Sequence, residues 1–148
     1  MMRSRYLAAA LLLGLITPFL AGRQVSAAPE GHTSYAPVKV ARVARLGPIL
    51  VTAKGFTLYY FSKERPGSIA CTGSCAQVWP PLLVPAGSAP PRSVPGATGK
   101  FGTIVRPDKS RQITYNHRAL YTYTPDTKPG QALCQAMEGW YVVKVHGS

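Results

Sequence analysis

The chain has 148 residues, of which 17 are Lys or Arg and only 5 are Asp or Glu, so its formal net charge is +12. This length corresponds to one domain with a modest hydrophobic core. Gly and Pro occur 14 times each, which is too often for a helical bundle, and 8 Tyr among scattered Val and Ile favour β-structure. The composition therefore excludes a coiled coil, a multi-pass membrane protein and a large enzyme.

The first 27 residues have the pattern of a secretory signal peptide. Arg3 and Arg5 precede an apolar run over residues 7–22, and small residues follow at positions 25–27. A basic start, a short apolar middle and a small-residue exit predict cleavage after Ala27. The apolar run is shorter than the roughly 20 residues that a membrane-spanning helix needs, so no stable membrane insertion is expected after cleavage. We expect the mature protein to be periplasmic or secreted.

Cleavage changes the charge balance of the mature chain. It leaves 14 basic residues against 5 acidic ones, a net charge of +9 over 121 residues. Outside the cytoplasm, such a charge favours binding to anionic envelope surfaces and keeps the protein soluble. The basic residues are dispersed, without a block of five or more and without an evident helix to array them. Nucleic-acid binding is therefore not expected.

After the signal peptide, residues 28–37 are expected to form a flexible leader, and a single β-domain is expected over residues 38–148. A segment rich in Pro, Gly, Ala and Ser at residues 84–100 predicts a surface loop. In chain order, the predicted strands are residues 38–43, 51–53, 56–61, 101–105, 113–115, 118–123 and 140–145. In the strand over residues 56–61, the period of two places Tyr59 on one face and Leu58 and Tyr60 on the other.

The chain contains two copies of one sequence unit. Residues 51–61 align with residues 113–123, and the match continues through a Pro-Gly pair, a cysteine and a tryptophan in each copy. Each copy predicts a hairpin, with two-residue turns at 54–55 and 116–117 that contain residues able to take positive φ. His117 fits its turn position less well than glycine, so it is either mildly strained or functional. The predicted fold class is mainly β, a compact antiparallel domain whose two repeats share one core.

Each copy carries two aromatic residues and one acid at the same spacing. They are Tyr59, Phe61 and Glu64 in the first copy and Tyr121, Tyr123 and Asp126 in the second. Each acid follows its strand by three residues, where the chain turns towards a Pro-Gly pair, and a carboxylate there can accept hydrogen bonds from loop N–H groups. The presence of the acid in both copies favours a structural or binding role over catalysis, because no separate nucleophile or base accompanies it.

The three cysteines support two interpretations. Cys71 and Cys75 are spaced C-x3-C, and Cys134 takes the place of Cys71 in the second copy. In an oxidising compartment a disulfide is expected, with one thiol left over, and it joins either Cys71 to Cys75 or one of them to Cys134. A bond to Cys134 would close a loop of roughly 60 residues. The alternative is a copper, zinc or thiol-redox site, with His117 and Met137 as auxiliary ligands.

The second motif copy, over residues 121–126, fits the pattern Tyr-x-(Phe/Trp/Tyr)-x-x-Asp. Together with the Lys-Pro-Gly of residues 128–130 and the Trp-Tyr-Val-Val of residues 140–143, it resembles the bacterial secreted-repeat family that this motif defines. Residues 58–81 resemble the first repeat of that family. The resemblance covers residues 44–145, with repeat one at about 44–83, a loop at 84–100 and repeat two at about 101–145. The family contains predicted lipoproteins and has no known biochemical function.

This chain departs from the family pattern in three respects. Glu64 stands where the first copy is expected to have Asp, no lipid-acceptor cysteine precedes Cys71, and Cys134 and His117 occupy positions where glycine is more usual. The absence of a lipid-acceptor cysteine agrees with a soluble mature protein.

The sequence therefore predicts an exported, non-enzymatic β-repeat module that binds a partner protein or an anionic envelope polymer and needs no cofactor. Neither a Gly-x-Ser-x-Gly element nor a Gly-rich phosphate loop before a helix is present to indicate an enzyme. The alternative function is a soft-metal (copper or zinc) or thiol-redox protein that uses the three cysteines. A third possibility is carbohydrate binding through an exposed Tyr60 or through Trp79 and Trp140, although core positions are expected for the two tryptophans.

Overall fold

A computed structural model describes residues 36–145 of the chain. The predicted signal peptide and residues 28–35 of the predicted leader lie outside the described residues. The described elements are β1 (Val38–Val43), β2 (Gly47–Thr52), β3 (Tyr59–Phe61), α1 (Ser74–Val78), β4 (Phe101–Val105), β5 (Arg111–Tyr115), β6 (Arg118–Ala119) and β7 (Trp140–Val142). Every strand pair is antiparallel, which confirms the predicted fold class, whereas α1 was not predicted. Within residues 36–145, no helix has the length and apolar character to cross a membrane.

Each repeat begins with a hairpin. In the first, β1 pairs with β2 so that Val38 lies opposite Thr52. In the second, β4 pairs with β5, and β6 extends the same sheet. The side chains of β2 alternate between two apolar clusters, with Leu50 in one and Ile49 and Val51 in the other. The continuous apolar run of β2 is explained by this burial on both faces.

The turns that follow β2 and β5, at the positions where the sequence predicts hairpin turns, differ by one residue. In the second repeat, Asn116 and His117 both have positive φ, 49° and 65°, which is the backbone of a two-residue type I′ turn. In the first repeat, Val51 lies opposite Thr57, so the turn has three residues, 53–55. The predicted two-residue turn at 54–55 was therefore wrong by one residue.

The two repeats exchange their last strands. The end of the second repeat lies along the first, since Val143 N–H donates to the Leu58 carbonyl at 2.9 Å and Leu50 N–H donates to the Val143 carbonyl at 2.9 Å. The end of the first repeat lies along the second in the corresponding way. There, Leu82 N–H donates to the Leu120 carbonyl at 2.9 Å, and Ile113 N–H donates to the Leu82 carbonyl at 2.8 Å. Each repeat thus completes the sheet of the other.

The halves join at Tyr59 and Tyr121. Tyr59 N–H donates to the Tyr121 carbonyl at 2.8 Å, and Tyr121 N–H donates back to the Tyr59 carbonyl at 2.9 Å. The two tyrosine side chains enter one apolar cluster, while the neighbouring Leu58 and Leu120 enter the other. The approximate two-fold relation between the repeats therefore places equivalent residues together at the centre of the molecule.

The segment predicted as a surface loop, residues 84–100, contains no helix and none of the named strands. It is not wholly superficial, because Val84 and Val94 are buried in the same apolar cluster as Leu50 and Leu58. Val84 therefore holds the start of this segment to the core, and Val94 holds its middle. The exposed tip between them, at Ala86 and Gly87, is the place where a chain break would disturb least.

Because each repeat supplies a strand to the other, we expect neither half to fold alone. Residues 36–86 and 87–145, produced separately, should each give the poorly dispersed amide NMR spectrum of an unfolded chain. An equimolar mixture should recover the dispersed spectrum of the intact domain. A dispersed spectrum from either half alone would contradict the exchange of strands.

Candidate functional site

The motif residues of the two copies meet in the interior, and each tyrosine binds the acid of the other copy. The Tyr59 hydroxyl donates to Asp126 Oδ2 at 2.6 Å. The Tyr121 hydroxyl donates to Glu64 Oε1 at 2.8 Å. All four residues are buried. The motif therefore joins the repeats through two reciprocal side-chain hydrogen bonds beside the backbone junction.

Each motif acid also holds the loop that follows its own strand. Glu64 Oε1 accepts hydrogen bonds from the N–H groups of Ala70 and Cys71, at 2.8 and 3.1 Å. Asp126 Oδ1 accepts one from Leu133 N–H at 3.0 Å. Hydrogen bonds to a carboxylate are stronger than those between neutral groups. Glu64, which replaces the usual Asp, makes the same two kinds of contact as Asp126.

Both motif tyrosines are held in their neutral form. Burial, with the hydrogen bond to Asp126 and its negative charge, raises the pKa of Tyr59 well above 10. Burial and the corresponding contacts with Glu64 raise the pKa of Tyr121 in the same way. A protonated hydroxyl can donate to a carboxylate, so the arrangement persists at physiological pH.

Four aromatic rings form a continuous stack across the junction of the repeats. Trp79 and Trp140 lie at its centre, 4.7 Å apart and nearly parallel. Tyr123 stacks on Trp79 at 5.4 Å, and Phe61 stacks on Trp140 at 4.7 Å. Equivalent residues of the repeats thus occupy equivalent places in the stack. Because the two indole rings cover each other, the Trp pair does not form an open platform for a sugar.

The structure pairs Cys71 with Cys75, with their Cα atoms 5.2 Å apart, and leaves Cys134 as a buried free thiol. Neither of the two alternative bonds to Cys134 is formed. The Trp79 indole N–H donates to Cys134 Sγ at 3.1 Å. Burial raises the pKa of the Cys134 thiol, with smaller contributions from the negative charges of Asp126 and Glu138. Cys134 is therefore a protonated, enclosed thiol at neutral pH.

The residues predicted as soft-metal ligands differ from one another in burial and in bonding. The disulfide occupies two of the three thiols, and His117 is exposed on its turn. Met137 is also exposed. In the part of the chain that the structure describes, no group of three or more His, Cys, Asp or Glu side chains could hold a metal ion.

Arg106 is a structural residue that sequence analysis missed, having counted it among the dispersed cations. Its side chain is buried and donates to Gln112 Oε1 and to the Cys71 carbonyl, the latter at 2.8 Å. The guanidinium therefore ties the disulfide loop to the second hairpin. A lone Arg before a Pro-Asp turn carries no sequence signal of burial.

The surface of the domain has almost no negative charge. Residues 36–145 contain four acids, of which Glu64 and Asp126 are buried and Asp108 and Glu138 are exposed. The exposed cations in this part of the chain are Lys39, Arg42, Arg45, Lys54, Lys63, Arg65, Arg92, Lys100, Lys109, Arg118, Lys128 and Lys144. The described surface therefore carries twelve exposed cations and only two exposed acids.

Two surface grooves lie at corresponding places in the two repeats. The Phe56 groove has a volume of about 450 Å³ and lies between residues 52–56 and residues 122–126. The Tyr60 groove has a volume of about 410 Å³. It is lined chiefly by Tyr60, Tyr115, Asn116, Arg118, Tyr141 and Lys144. Each groove thus lies beside a turn of one repeat and the motif strand of the other, and the Tyr60 groove is lined in addition by Gln135 and by residues 141–144 of the second repeat.

We expect Tyr59→Phe to lower the free energy of unfolding by about 1.5–3 kcal/mol, the range for a hydrogen bond to a charged group, because Asp126 loses a partner. Tyr121→Phe should have a similar effect through Glu64. Urea denaturation measures both losses. Tyr141→Phe, which removes an exposed hydroxyl, is the matched control and should change stability by less than about 0.5 kcal/mol.

The pH dependence of unfolding provides a second readout of the same variants. Tyrosines in the unfolded chain ionise near pH 10, whereas Tyr59 and Tyr121 keep their protons to higher pH in the native state. Their contribution is fully present below about pH 10, and above it stability falls by about 1.4 kcal/mol per pH unit for each tyrosine. Either Phe variant should halve this tyrosine-dependent slope. An unchanged slope, or stability equal to that of Tyr141→Phe, would contradict the buried tyrosine–acid pairs.

Comparison with known proteins agrees with the internal repeat. The family model of a secreted repeat of unknown function matches residues 41–83 and residues 102–144. No curated protein and no solved structure matches the chain. The family description supports an exported protein. Since the two matches together span more than half of the 148 residues and confirm the resemblance carried by the motif, this chain belongs to that family of secreted repeats.

Proposed function

We propose that this exported domain is a non-enzymatic binding module of the periplasm or cell envelope, whose partner is an anionic envelope polymer or the acidic face of a partner protein. The observation that carries the proposal is the ratio of twelve exposed cations to two exposed acids among residues 36–145. The composition of residues 36–145, 14 cations against four acids, sets this imbalance, and the burial of both motif acids at the junction of the repeats increases it.

A polymer suits the dispersed cations better than a small anion does. Each exposed ion pair contributes only about 0–1 kcal/mol and is screened beyond about 8–10 Å at physiological salt. Twelve cations spread over the domain cannot converge on one small ligand. A chain with many negative charges can engage several of them together, so that weak contacts add to useful avidity.

We expect the domain to bind an immobilised carboxylate polymer, polygalacturonate, at low ionic strength and to elute as the salt concentration rises. The triple variant Lys39→Gln, Arg42→Gln and Lys128→Gln should elute at lower salt, because it removes three exposed charges. Its matched control keeps the charges through Lys39→Arg, Arg42→Lys and Lys128→Arg and should elute with the unmodified domain. Lack of retention at low salt, or the same elution point for the uncharged triple variant, would overturn the proposal.

A copper, zinc or thiol-redox function is the alternative proposal. One observation favours it, since Cys71, Cys75 and Cys134 all contact the same apolar cluster, so that reduction would leave three thiols in one region. In the oxidised state the disulfide withholds two of them. Thiolates are the ligands that Cu(I) and Zn prefer in such sites.

The intact mass of the anaerobically purified protein, measured natively and after denaturation with a thiol-alkylating reagent, separates these functions. We expect one alkylated cysteine, Cys134, and no metal increment, because the other two cysteines form a disulfide. Alkylation of the native protein should be slow, since Cys134 is buried and its pKa is raised. Three alkylated cysteines with a copper or zinc increment in the native spectrum would establish the alternative instead.

A further inference from the structure

We propose that the Tyr60 groove binds one acidic sugar unit of a polysaccharide, with the sugar ring against the exposed Tyr141 and its carboxylate or phosphate against Arg118 and Lys144. The inference rests on the proposed function, since it names the chemical class of the anionic polymer and the groove in which that polymer binds. Carboxylate and phosphate share the relevant chemistry, a negative charge on a hydroxyl-rich ring.

Aromatic rings hold the principal cation of the groove in place. The Arg118 guanidinium lies over the Tyr60 ring, 4.7 Å from its centre. Tyr60 in turn stacks on Tyr141 at 5.9 Å, with an angle of 27° between the rings. A contact of this kind orients a guanidinium without neutralising its charge. The described lining of the groove contains no carboxylate, so the charge of Arg118 remains available to a ligand.

The two side-chain amides of the groove, those of Asn116 and Gln135, use their oxygens to accept backbone N–H groups, which leaves their amino groups as donors. Asn116 Oδ1 accepts the Lys100 N–H at 2.9 Å. Gln135 Oε1 accepts the Val142 N–H at 2.8 Å. With both amide oxygens occupied, the amino groups of Asn116 and Gln135 remain as donors, and neither makes a hydrogen bond within residues 36–145. The turn and strand therefore fix two side chains in an orientation suited to an acceptor-rich ligand.

These donors favour an acidic sugar over an acidic peptide. Apart from the tyrosine hydroxyls, the polar side-chain groups of the groove that are not engaged in hydrogen bonds within residues 36–145 are the donors of Arg118, Lys144 and the two amides. An extended peptide would bring N–H groups that find few side-chain acceptors there, and such unpaired groups weaken binding. Sugar hydroxyls can accept these hydrogen bonds and direct their own protons to water. The volume of about 410 Å³ lies within the usual range of ligand sites.

The other repeat supplies an internal comparison. In the Phe56 groove, Thr122 and Phe56 occupy the positions that Tyr60 and Arg118 occupy in the Tyr60 groove. The motif tyrosines and the tryptophans recur in both repeats, whereas these groove residues differ. Since both repeats build the same fold, Tyr60 and Arg118 are not needed for the shared scaffold, which leaves them free to serve binding.

The test is titration of the full domain with four oligomers of equal length, followed by amide NMR shifts and calorimetry. The probes are an oligogalacturonate, a phosphodiester-linked sugar oligomer, a neutral galactose oligomer and an oligoglutamate. We expect at least one of the two acidic sugar probes to shift the amides of Tyr60, Arg118 and Tyr141 and to bind about tenfold more tightly than the neutral one. Whichever of the carboxylate and phosphate probes binds more tightly identifies the acidic group that the groove prefers.

Arg118→Gln should weaken binding of the better sugar probe about tenfold, and Tyr60→Thr, which copies the residue of the other repeat, by a similar factor. Arg118→Lys retains the charge but loses the planar stack, so it should fall between Arg118→Gln and the unmodified domain. Lys54→Gln removes one charge at the Phe56 groove and should change binding by less than about twofold. The dispersed amide spectrum of each variant shows that it remains folded.

The outcomes separate this inference from the proposed function. If the domain is retained on polygalacturonate but Arg118→Gln behaves as Lys54→Gln does, the site assignment is wrong and the proposed function stands. Tighter binding of oligoglutamate than of either acidic sugar would replace the glycan by an acidic peptide. Absence of binding to every anionic probe would overturn both proposals.

Discussion

The structure depends on two buried carboxylates that can be satisfied only across the repeats. Moving a carboxylate out of water costs several kcal/mol unless hydrogen bonds replace its hydration. Asp126 receives one of them from Tyr59 of the first repeat, and Glu64 receives one from Tyr121 of the second. Neither acid is well placed without the other half of the chain. Together with the exchanged last strands, this reciprocity makes the two repeats one cooperative unit.

The same interaction determines the character of the surface. Two of the four acids among residues 36–145 are consumed at the junction, while all but two of the 14 cations in that range are exposed. A composition that is already strongly basic therefore gives a surface with still less negative charge. Stability and the proposed binding of anionic polymers thus follow from one arrangement of side chains.

The repetition also separates the scaffold from the residues that can vary. The tyrosine–acid pairs and the stacked tryptophans serve both copies in equivalent positions. The hairpin turns differ by one residue, and the grooves beside them differ in chemistry, with Tyr60 and Arg118 on one side and Thr122 and Phe56 on the other. A duplicated fold with two unlike grooves is suited to binding one ligand at one of them.

The sequence by itself determined the antiparallel β class, the two copies and the faces of the central strand, because a period of two separates Leu58 from Tyr59 wherever the strand lies. Its repeated motif also identified the family of secreted repeats. Only the tertiary structure decided that the last strands are exchanged, that Cys71 pairs with Cys75, that Arg106 is buried and that Tyr60, Arg118 and Tyr141 share a groove. Alternation along a strand specifies which face a side chain occupies but not which distant segment lies beside it. Strand partners, disulfide pairing and grooves depend on that second choice, which is made when the whole core assembles.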